Sequence, residues 1–557
     1  MLFFFKSRIV EFVFAMLSFC LSLLFYTIVT DDYYAFSCNL ASGQFGNYPY
    51  FDFYYLGLLG FTELYKILYT ALPVYNWVGI SFLLFEFFAL YLVLRSLKNV
   101  ILKNVENIYF VRIIQILFSL FFIENIISMS HTRFSLIFCG ISLINLVFTE
   151  NITRKAVVFN SVLFILGMCI RPESSIGMLL IVSAGYLIHS FNLKHLFKRF
   201  LFPSIATVAL FTAFAIDWSY TDVYVKKVEP EIEYKIGDNR MVDISEMKSV
   251  EDSIKYEAAK AGMWFDMTTM TPEFLRSTLL PGINLSQDHL SKVFFHVISI
   301  YQNYPFIIFS AAAYIFICFL KPRYKKQGFK IMFFQAFTFF VIYALDYNGH
   351  LINGRHFLNI ELISLLVISF YFFNSISIDF LDLNRRLCIG CLLFVLCGTV
   401  LSLENYKKNN DLVVFETNSF ELIMKEVESL FSNRIIIHTL SNYNLFNKEF
   451  SFKNKNYTKN QYLMFDLFTY SLTPKYIKYL DSQCNCNASD PVAFFNWLSK
   501  NNALYITDPY RSTLTEKYMR IIHKQKIKFA SPINLSIPSC PDINECGCEI
   551  RKIVLEN

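Results

Sequence analysis

Two adjacent carboxylates, Asp31 and Asp32, follow directly after the first long apolar run of the sequence. Acids at a membrane exit are costly to place near hydrocarbon unless water, a cation or a partner meets them. One interpretation is a solvated helix stop. The other is a reactive pair that a cation or a partner meets.

The segment after the acids favours the reactive pair. Residues 43–55 read GQFGNYPYFDFYY, which is too apolar to lie free in water. Rings of this kind prefer the level of the membrane surface. We therefore expect the segment to form a wall beside Asp31 and Asp32, with aromatic faces suited to a sugar.

Basic residues in three short turns form a second group of candidates. The first turn holds His131 and Arg133, the second holds Arg171, and the third holds His350, Arg355 and His356. Each turn opens a predicted helix. Arginine presents a planar fork that fits phosphate oxygens, and helix amino termini add a partial positive charge. The three turns together predict a converging phosphate site; the alternative is pairing with lipid headgroups or with structural partners.

Another acid, Glu86, falls in the middle of a predicted span, where an ionisable residue is a functional candidate by default. Glu86 lies nine residues before Arg95, and Arg112 in the next span lies nine residues after Lys103. At 1.5 Å per residue both side chains then lie about 13 Å from the same basic edge. The spacing therefore predicts a structural ion pair between Glu86 and Arg112.

The composition defines the kind of chain that must position these residues. It has 557 residues, of which 55% are hydrophobic, 18% aromatic and 17% charged. A soluble domain carries roughly 25% charged residues, so an ordinary soluble protein is excluded. The aromatic content also excludes a disordered chain, and a net charge of +6 is too mild to indicate nucleic acid. The sequence predicts a polytopic α-helical membrane protein.

The hydropathy pattern predicts about eleven transmembrane helices of roughly 20 residues each. The apolar runs are residues 9–29, 74–94, 105–125, 134–149, 156–170, 174–191, 200–217, 293–320, 330–346, 357–373 and 387–403. With eleven spans and a cytoplasmic amino terminus, every cluster of Lys and Arg outside the three turns falls on the cytoplasmic side, as the positive-inside rule requires. The carboxyl terminus is then exoplasmic.

This topology divides the chain into two domains. Residues 1–403 form the transmembrane domain, with large exoplasmic loops at 30–73 and 218–292. Residues 404–557 form an exoplasmic α/β domain, because a helix followed by a strand is predicted twice, with strands at 434–440 and 503–507.

Cysteines in the carboxyl-terminal domain agree with an oxidising compartment. They are Cys484, Cys486, Cys540, Cys546 and Cys548. We expect disulfides that join the first two to the last three. Two C-x-C pairs could instead bind zinc, although structural zinc sites usually have a wider spacing.

The acidic pair after span one, the arginine-containing turns and the exoplasmic α/β domain together resemble the GT-C superfamily of integral-membrane glycosyltransferases. In layout the chain is similar to enzymes that modify bacterial surface glycans, such as O-antigen glucosyltransferases. The resemblance implies a polyprenyl-phosphate-sugar donor, a glycan or lipid-linked acceptor and inversion at the anomeric carbon. It places the protein in a bacterial inner membrane with a periplasmic active site.

The resemblance also implies roles for the candidate residues. Asp31 or Asp32 is the general base, and Asp31 is favoured. The residues Arg133, Arg171, Arg355, His131, His350 and His356 bind the donor phosphate. Some members hold Mg²⁺ or Mn²⁺ at the acids and others do not, so a cation stays open, as does the oligomeric state. The alternative functions are an O-antigen polymerase or ligase, and a transporter or flippase of a lipid-linked sugar.

Overall fold

The protein is described here from a computed structural model. The described residues are 9–23, 61–75, 77–104, 108–127, 131–149, 152–219, 241–261, 263, 266, 268–279, 287–320, 322–347, 354–375, 385–438, 460–464, 480–488, 490–507, 509–533 and 549–555.

Most of the described chain is helical. The helices are α1 (Ile9–Leu23), α2 (Phe61–Ala71), α3 (Trp77–Asn104), α4 (Ile108–Ile127), α5 (His131–Phe148), α6 (Arg154–Ile170), α7 (Pro172–Ser190), α8 (Leu193–Ser219), α9 (Val250–Lys260), α10 (Pro272–Ser277), α11 (Gln287–Asn303), α12 (Pro305–Phe319), α13 (Lys325–Tyr347), α14 (Gly354–Ser375), α15 (Arg385–Leu430), α16 (Pro491–Lys500) and α17 (Pro509–Ile522). The strands are β1 (Ile435–His438), β2 (Gln461–Met464), β3 (Leu504–Thr507), β4 (Ile527–Phe529) and β5 (Glu549–Leu555).

Within the described residues, four helical segments are long and apolar enough to cross a membrane by themselves. They are Ile80–Asn99, Leu193–Ala213, Pro322–Tyr347 and His356–Phe373. A fifth results if the bent pair α11 and α12 counts as one span. A mostly helical chain with several such segments confirms the expected class, a membrane protein with a helical body.

The bent pair differs from the expected single span at 293–320. The chain turns by 84° between Asn303 and Pro305. Pro305 is the first residue of α12, a position that tolerates proline because its missing N–H has no partner within a helix. Tyr304 before it is non-helical, with φ −123° and ψ 59°, as the proline ring disfavours the helical conformation there.

Helix α5 lies at the centre of the helical bundle, where it packs against α3, α6, α7, α8 and α14. Two glycines permit this close packing. A Cβ added at Gly140 of α5 would come within 2.5 Å of the Ile363 side chain on α14, and one at Gly167 of α6 within 3.0 Å of the Ser135 carbonyl oxygen. The beginning of α5 is therefore held between α6 and α14.

The chain direction places the candidate residues and the carboxyl-terminal domain at one end of the bundle. Helix α7 begins after Arg171, and α8 packs back along it and leads toward residues 241–279. Lys330, near the start of α13, donates a hydrogen bond to the carbonyl oxygen of His189 near the end of α7. We call the end of the bundle at which α5 and α7 begin the arginine end.

Helix α15 connects the bundle to the sheet. It runs unbroken through 46 residues, or about 69 Å at 1.5 Å per residue. The expected boundary between residues 403 and 404 therefore falls inside a continuous helix. Asn405 donates a hydrogen bond to the carbonyl oxygen of Gln302, close to where α15 leaves the bundle.

The sheet has five strands in the order β2-β1-β3-β5-β4. Strand β1 pairs in parallel with β2 and β3, whereas β5 pairs antiparallel with β3 and β4. The predicted strands near 434–440 and 503–507 are confirmed as β1 and β3. All four residues of β3 are buried, as expected for a central strand.

The loop expected at 218–292 contributes to the sheet domain. Ile254 of α9 and the buried Met270 belong to the same hydrophobic cluster as Tyr505 of β3 and Tyr518 of α17. The Arg511 side chain donates hydrogen bonds to the carbonyl oxygen of Ala261 at 2.8 and 3.0 Å. The domain therefore contains two segments that are far apart in sequence.

A buried carboxylate fastens these two segments together. Tyr518 donates a hydrogen bond to Asp266 at 2.8 Å, and His523 lies 2.7 Å from the same carboxylate oxygen. Burial by itself raises the pKa of Asp266, but hydrogen bonds from His523, Thr268, Thr269 and Tyr518 outweigh it and hold that pKa below its usual range.

The cysteines differ from the expected pairing. Cys484 forms a disulfide with Cys486, two residues away, and not with the distant cluster. The turn that follows residue 484, in which Asn485 has φ 48°, brings the two close. Cys540, Cys546 and Cys548 lie outside the described residues.

Candidate anion-binding site

The three basic turns open helices, as the sequence predicts. Helix α5 begins at His131, α7 begins directly after Arg171, and α14 begins at Gly354. Pro172 is the first residue of α7, where its fixed φ suits the helix and its missing N–H costs nothing. Each turn therefore lies at the positive dipole end of a helix.

Arg133 connects α5 to two other helices. It donates a hydrogen bond to the side-chain oxygen of Asn125 at 2.5 Å. The side-chain amide of Asn125, near the end of α4, donates in turn to the side-chain oxygen of Asn359 on α14 at 2.8 Å. All three side chains are buried, so the beginnings of α5 and α14 lie side by side.

Arg171 connects α7 to the same place. Its guanidinium donates a hydrogen bond to the Thr132 hydroxyl, the neighbour of Arg133 on α5. The Ser135 hydroxyl, one turn further along α5, donates to the carbonyl oxygen of Gly167 at 2.7 Å. The structure therefore places Arg171 against Thr132, the residue next to Arg133 on α5. We call Asn125, Thr132, Arg133, Arg171 and Asn359 the arginine cluster.

Ser174 adds a free hydroxyl to this place. It lies in the first turn of α7, three residues after Arg171, and is 4% exposed. Its oxygen has no hydrogen-bond partner within the part of the chain that the structure describes. A buried hydroxyl without a partner costs free energy, so it is suited to a ligand that supplies one.

The chemistry of this arrangement favours an anion. Two guanidinium groups, three helix amino termini and an unused hydroxyl are all donors or partial positive charges. Low dielectric surroundings strengthen their attraction for a phosphate. Among the described residues no group of three or more His, Cys, Asp or Glu side chains could hold a metal ion.

Several predicted site residues cannot be compared with this cluster. Asp31, Asp32 and His350 lie outside the described residues, and so do the side chains of His131 and Arg355. His356 is described, and it is half-buried in the first turn of α14. The expectation that the acidic pair faces the arginines stays a prediction.

The predicted pair between Glu86 and Arg112 is wrong. Arg112 instead donates a hydrogen bond to Glu11 of α1, and Lys98 of α3 binds the other oxygen of Glu11 at 3.0 Å. Helix α1 packs against both α3 and α4, and this packing places Glu11 beside Arg112. Neither carboxylate oxygen of Glu86 has a hydrogen-bond partner among the described residues.

Sequence reasoning also missed the polar partners of the arginines. Asn125, Asn359 and Thr132 are fully buried, in helices that are mostly apolar. A polar side chain within an apolar helix usually faces a neighbouring helix, and that signal was present in the sequence. The pairing of Asn125 with Asn359 could not be predicted, because the two residues are 234 positions apart in the sequence.

No protein-family model, curated protein or solved structure matches this chain.

Proposed function

We propose that this chain is a membrane glycosyltransferase that transfers a sugar from a polyprenyl-phosphate-linked donor to a glycan or lipid-linked acceptor. The observation that carries the proposal is the arginine cluster, in which Arg171 contacts the neighbour of Arg133 and both arginines lie where apolar helices begin. A phosphate attached to a lipid chain needs positive charge at the end of a membrane-embedded bundle. The cluster supplies that combination.

In the proposed reaction the donor phosphate binds between Arg133 and Arg171. Asp31 or Asp32 takes the proton from an acceptor hydroxyl, whose oxygen attacks the anomeric carbon. The bond from that carbon to the phosphate oxygen breaks, and its electron pair leaves with polyprenyl phosphate. The guanidinium groups stabilise the charge that develops on this leaving group.

The proposal includes the finer topology. It comprises eleven spans of GT-C type, a cytoplasmic amino terminus and an exoplasmic arginine end in a bacterial inner membrane. The sheet domain, attached at the arginine end through α15, is then placed where it can receive the acceptor.

The test incubates the purified protein in detergent with polyprenyl-phosphate hexoses labelled in the sugar, together with candidate glycan acceptors. The expected result is labelled acceptor and an equal amount of free polyprenyl phosphate. Asp31→Asn and Asp32→Asn should abolish both products without loss of folded protein. The matched control is Asp243→Asn, an exposed acid of the sheet domain. The proposal is contradicted if the wild-type protein binds no lipid-linked sugar, or if it releases no polyprenyl phosphate from one.

A further inference from the structure

Helix α11 is an amphipathic helix to which the proposed reaction gives no role. It meets α12 at an angle of 84°, with Tyr304 between the two helices. Helix α12 has 15 residues and no charged side chain, so its composition suits the interior of a membrane. Membrane-spanning helices tilt by about 20° on average, so a bend of 84° leaves α11 within roughly 30° of the membrane plane.

One flank of α11 is apolar. The face that packs into the core of the bundle consists of Val297, Ile300 and Tyr301. Beside this face lie Phe294 and Ile298, which are one helical turn apart. Phe294 is 44% exposed, and its ring packs on the Phe339 ring of α13 with centroids 6.1 Å apart. The apolar flank is therefore only partly covered by protein.

The opposite flank of α11 is polar. It consists of Lys292, His296 and Ser299, of which Lys292 and Ser299 are exposed. The His296 ring lies 2.9 Å from the carboxylate of Asp346, near the end of α13. Helix α11 therefore carries two flanks of opposite character on either side of its buried face.

The contacts with α13 show which flank faces the membrane. Helix α13 begins beside His189 near the end of α7, so it runs toward the arginine end. Asp346 lies in its last turn, and Phe339 precedes Asp346 by seven residues, about 10 Å deeper along the helix. Because Phe294 contacts the deeper of these two residues, the apolar flank faces inward and the polar flank faces away from the bundle.

The length of α12 agrees with this orientation. Its 15 residues extend about 22 Å at 1.5 Å per residue. That is about 8 Å less than a hydrocarbon core of about 30 Å. A helix that lies at the membrane surface buries its apolar side roughly 5–10 Å into the boundary between headgroups and acyl chains. A surface helix at that depth supplies the missing thickness.

We propose that α11 lies in the lipid–water interface at the arginine end, with Phe294 and Ile298 among the acyl chains of membrane lipids. Lys292 and Ser299 then face the headgroups and water. The partner of this surface is the lipid bilayer itself. The inference concerns the position of α11 and does not depend on the proposed transfer reaction.

This position also sets the depth of the arginine cluster. Tyr301 and Tyr304 pack on the Phe357 ring of α14, with centroids 4.5 and 5.4 Å away. Asn359, a member of the cluster, follows Phe357 by two residues. The cluster is therefore close to the level of α11, at the boundary where lipid headgroups meet the acyl chains.

The experiment measures the depth of single side chains in the full-length protein, reconstituted in vesicles of phosphatidylcholine and phosphatidylglycerol. A nitroxide amino acid is incorporated at one position at a time, so the native cysteines stay unchanged. The positions are Lys292, Phe294, Ile298 and Ser299 of α11, with Ile308 of α12 as the control. Collisions with oxygen, which concentrates in hydrocarbon, and with a water-soluble nickel chelate then report the depth of each label.

The labels at Phe294 and Ile298 should lie roughly 5–10 Å below the headgroups, whereas those at Lys292 and Ser299 should be accessible from water. Ile308 is 46% exposed and lies one turn inside α12, so its label should be deeper than all four. A depth that changes steadily from residue 292 to residue 299 would show that α11 crosses the membrane. Equal access of the nickel chelate to all four labels would place α11 in water. Either result overturns the inference.

A second measurement covers the case in which a bulky label at Phe294 disturbs folding. Phe294→Trp keeps an aromatic ring against Phe339, and Ser299→Trp is the matched variant on the polar flank. The fluorescence added by Phe294→Trp should be quenched by lipids brominated near the headgroup end of the acyl chain, and that added by Ser299→Trp should not. Equal quenching of the two variants overturns the inference and leaves the glycosyltransferase proposal to its own test.

Discussion

Arg133 donates a hydrogen bond to Asn125 across the turn between two consecutive helices, α4 and α5. The Asn125 side-chain amide in turn donates a hydrogen bond to Asn359 on α14. The Arg133 side chain is thereby part of a buried polar connection between α4, α5 and α14.

The first prediction concerns this connection. Asn125→Leu should lower the free energy of unfolding by about 1–3 kcal/mol, because Arg133 and Asn359 each lose a buried partner. Asn359→Leu should cost a similar amount, and the double variant less than the sum, since both remove the same contact. Thermal unfolding of the four proteins in detergent measures this. Strictly additive losses would show that the two amides do not act together.

The second prediction tests the corrected ion pair. Glu11→Gln should destabilise the bundle by about 3–5 kcal/mol, because Arg112 and Lys98 then lose a buried counter-charge. Glu86→Gln is the matched control, and it should cost far less, because no hydrogen bond within the described residues depends on it. Unfolding midpoints in detergent decide between them. Equal losses in the two variants would restore Glu86 as a structural acid.

The third prediction concerns the sheet domain at low pH. Since the pKa of Asp266 is lower in the folded protein than its ordinary value of about 3.9, its stabilising contribution is complete above that value and is lost as the pH falls below it. Asp266→Asn should therefore destabilise the domain at neutral pH and flatten its acid unfolding.

Trp497 fluorescence and protease protection, followed from about pH 7 down to pH 2, measure this loss. Trp497 packs against the cluster that contains Tyr518, so it reports on the relevant core. The control is Asp243→Asn, because Asp243 is exposed and, among the described residues, its carboxylate accepts hydrogen bonds only from the nearby Ser245. An acid transition that Asp266→Asn leaves unchanged would contradict the assignment.

The fourth prediction concerns the disulfide. Proteolysis of unreduced protein should give one peptide that contains both Cys484 and Cys486 and is lighter by a pair of hydrogens than its reduced form. Mass spectrometry after alkylation of free thiols detects it. A peptide that contains Cys484 joined to one that contains Cys540, Cys546 or Cys548 would instead support the pairing expected from composition.

The sequence predicted the features that depend on local pattern. Apolar runs indicated the helices, the basic turn at Arg171 indicated where α7 begins, and the helix-strand alternation indicated β1 and β3. These features are decided by neighbouring residues, through periodicity and capping.

The predictions that failed concern packing between segments that are distant in sequence. The depth estimate for Glu86 and Arg112 could not include α1, which places Glu11 beside Arg112. The contact between Asp266 and His523 spans 257 residues, and no spacing rule could indicate it. The acidic pair lies outside the described residues, so its place relative to the arginines stays a prediction.

The most direct test of the central claim is the affinity of the arginine cluster for a prenyl-phosphoryl-hexose. Arg171→Ala and Ser174→Ala should each weaken binding, the arginine by about 10- to 150-fold, which corresponds to about 1.5–3 kcal/mol for a hydrogen bond to a charged group. Arg154→Ala removes an exposed arginine at the opposite end of the bundle and should bind as the wild type does. Unchanged affinity in folded Arg171→Ala, or an equal loss in Arg154→Ala, would contradict the account.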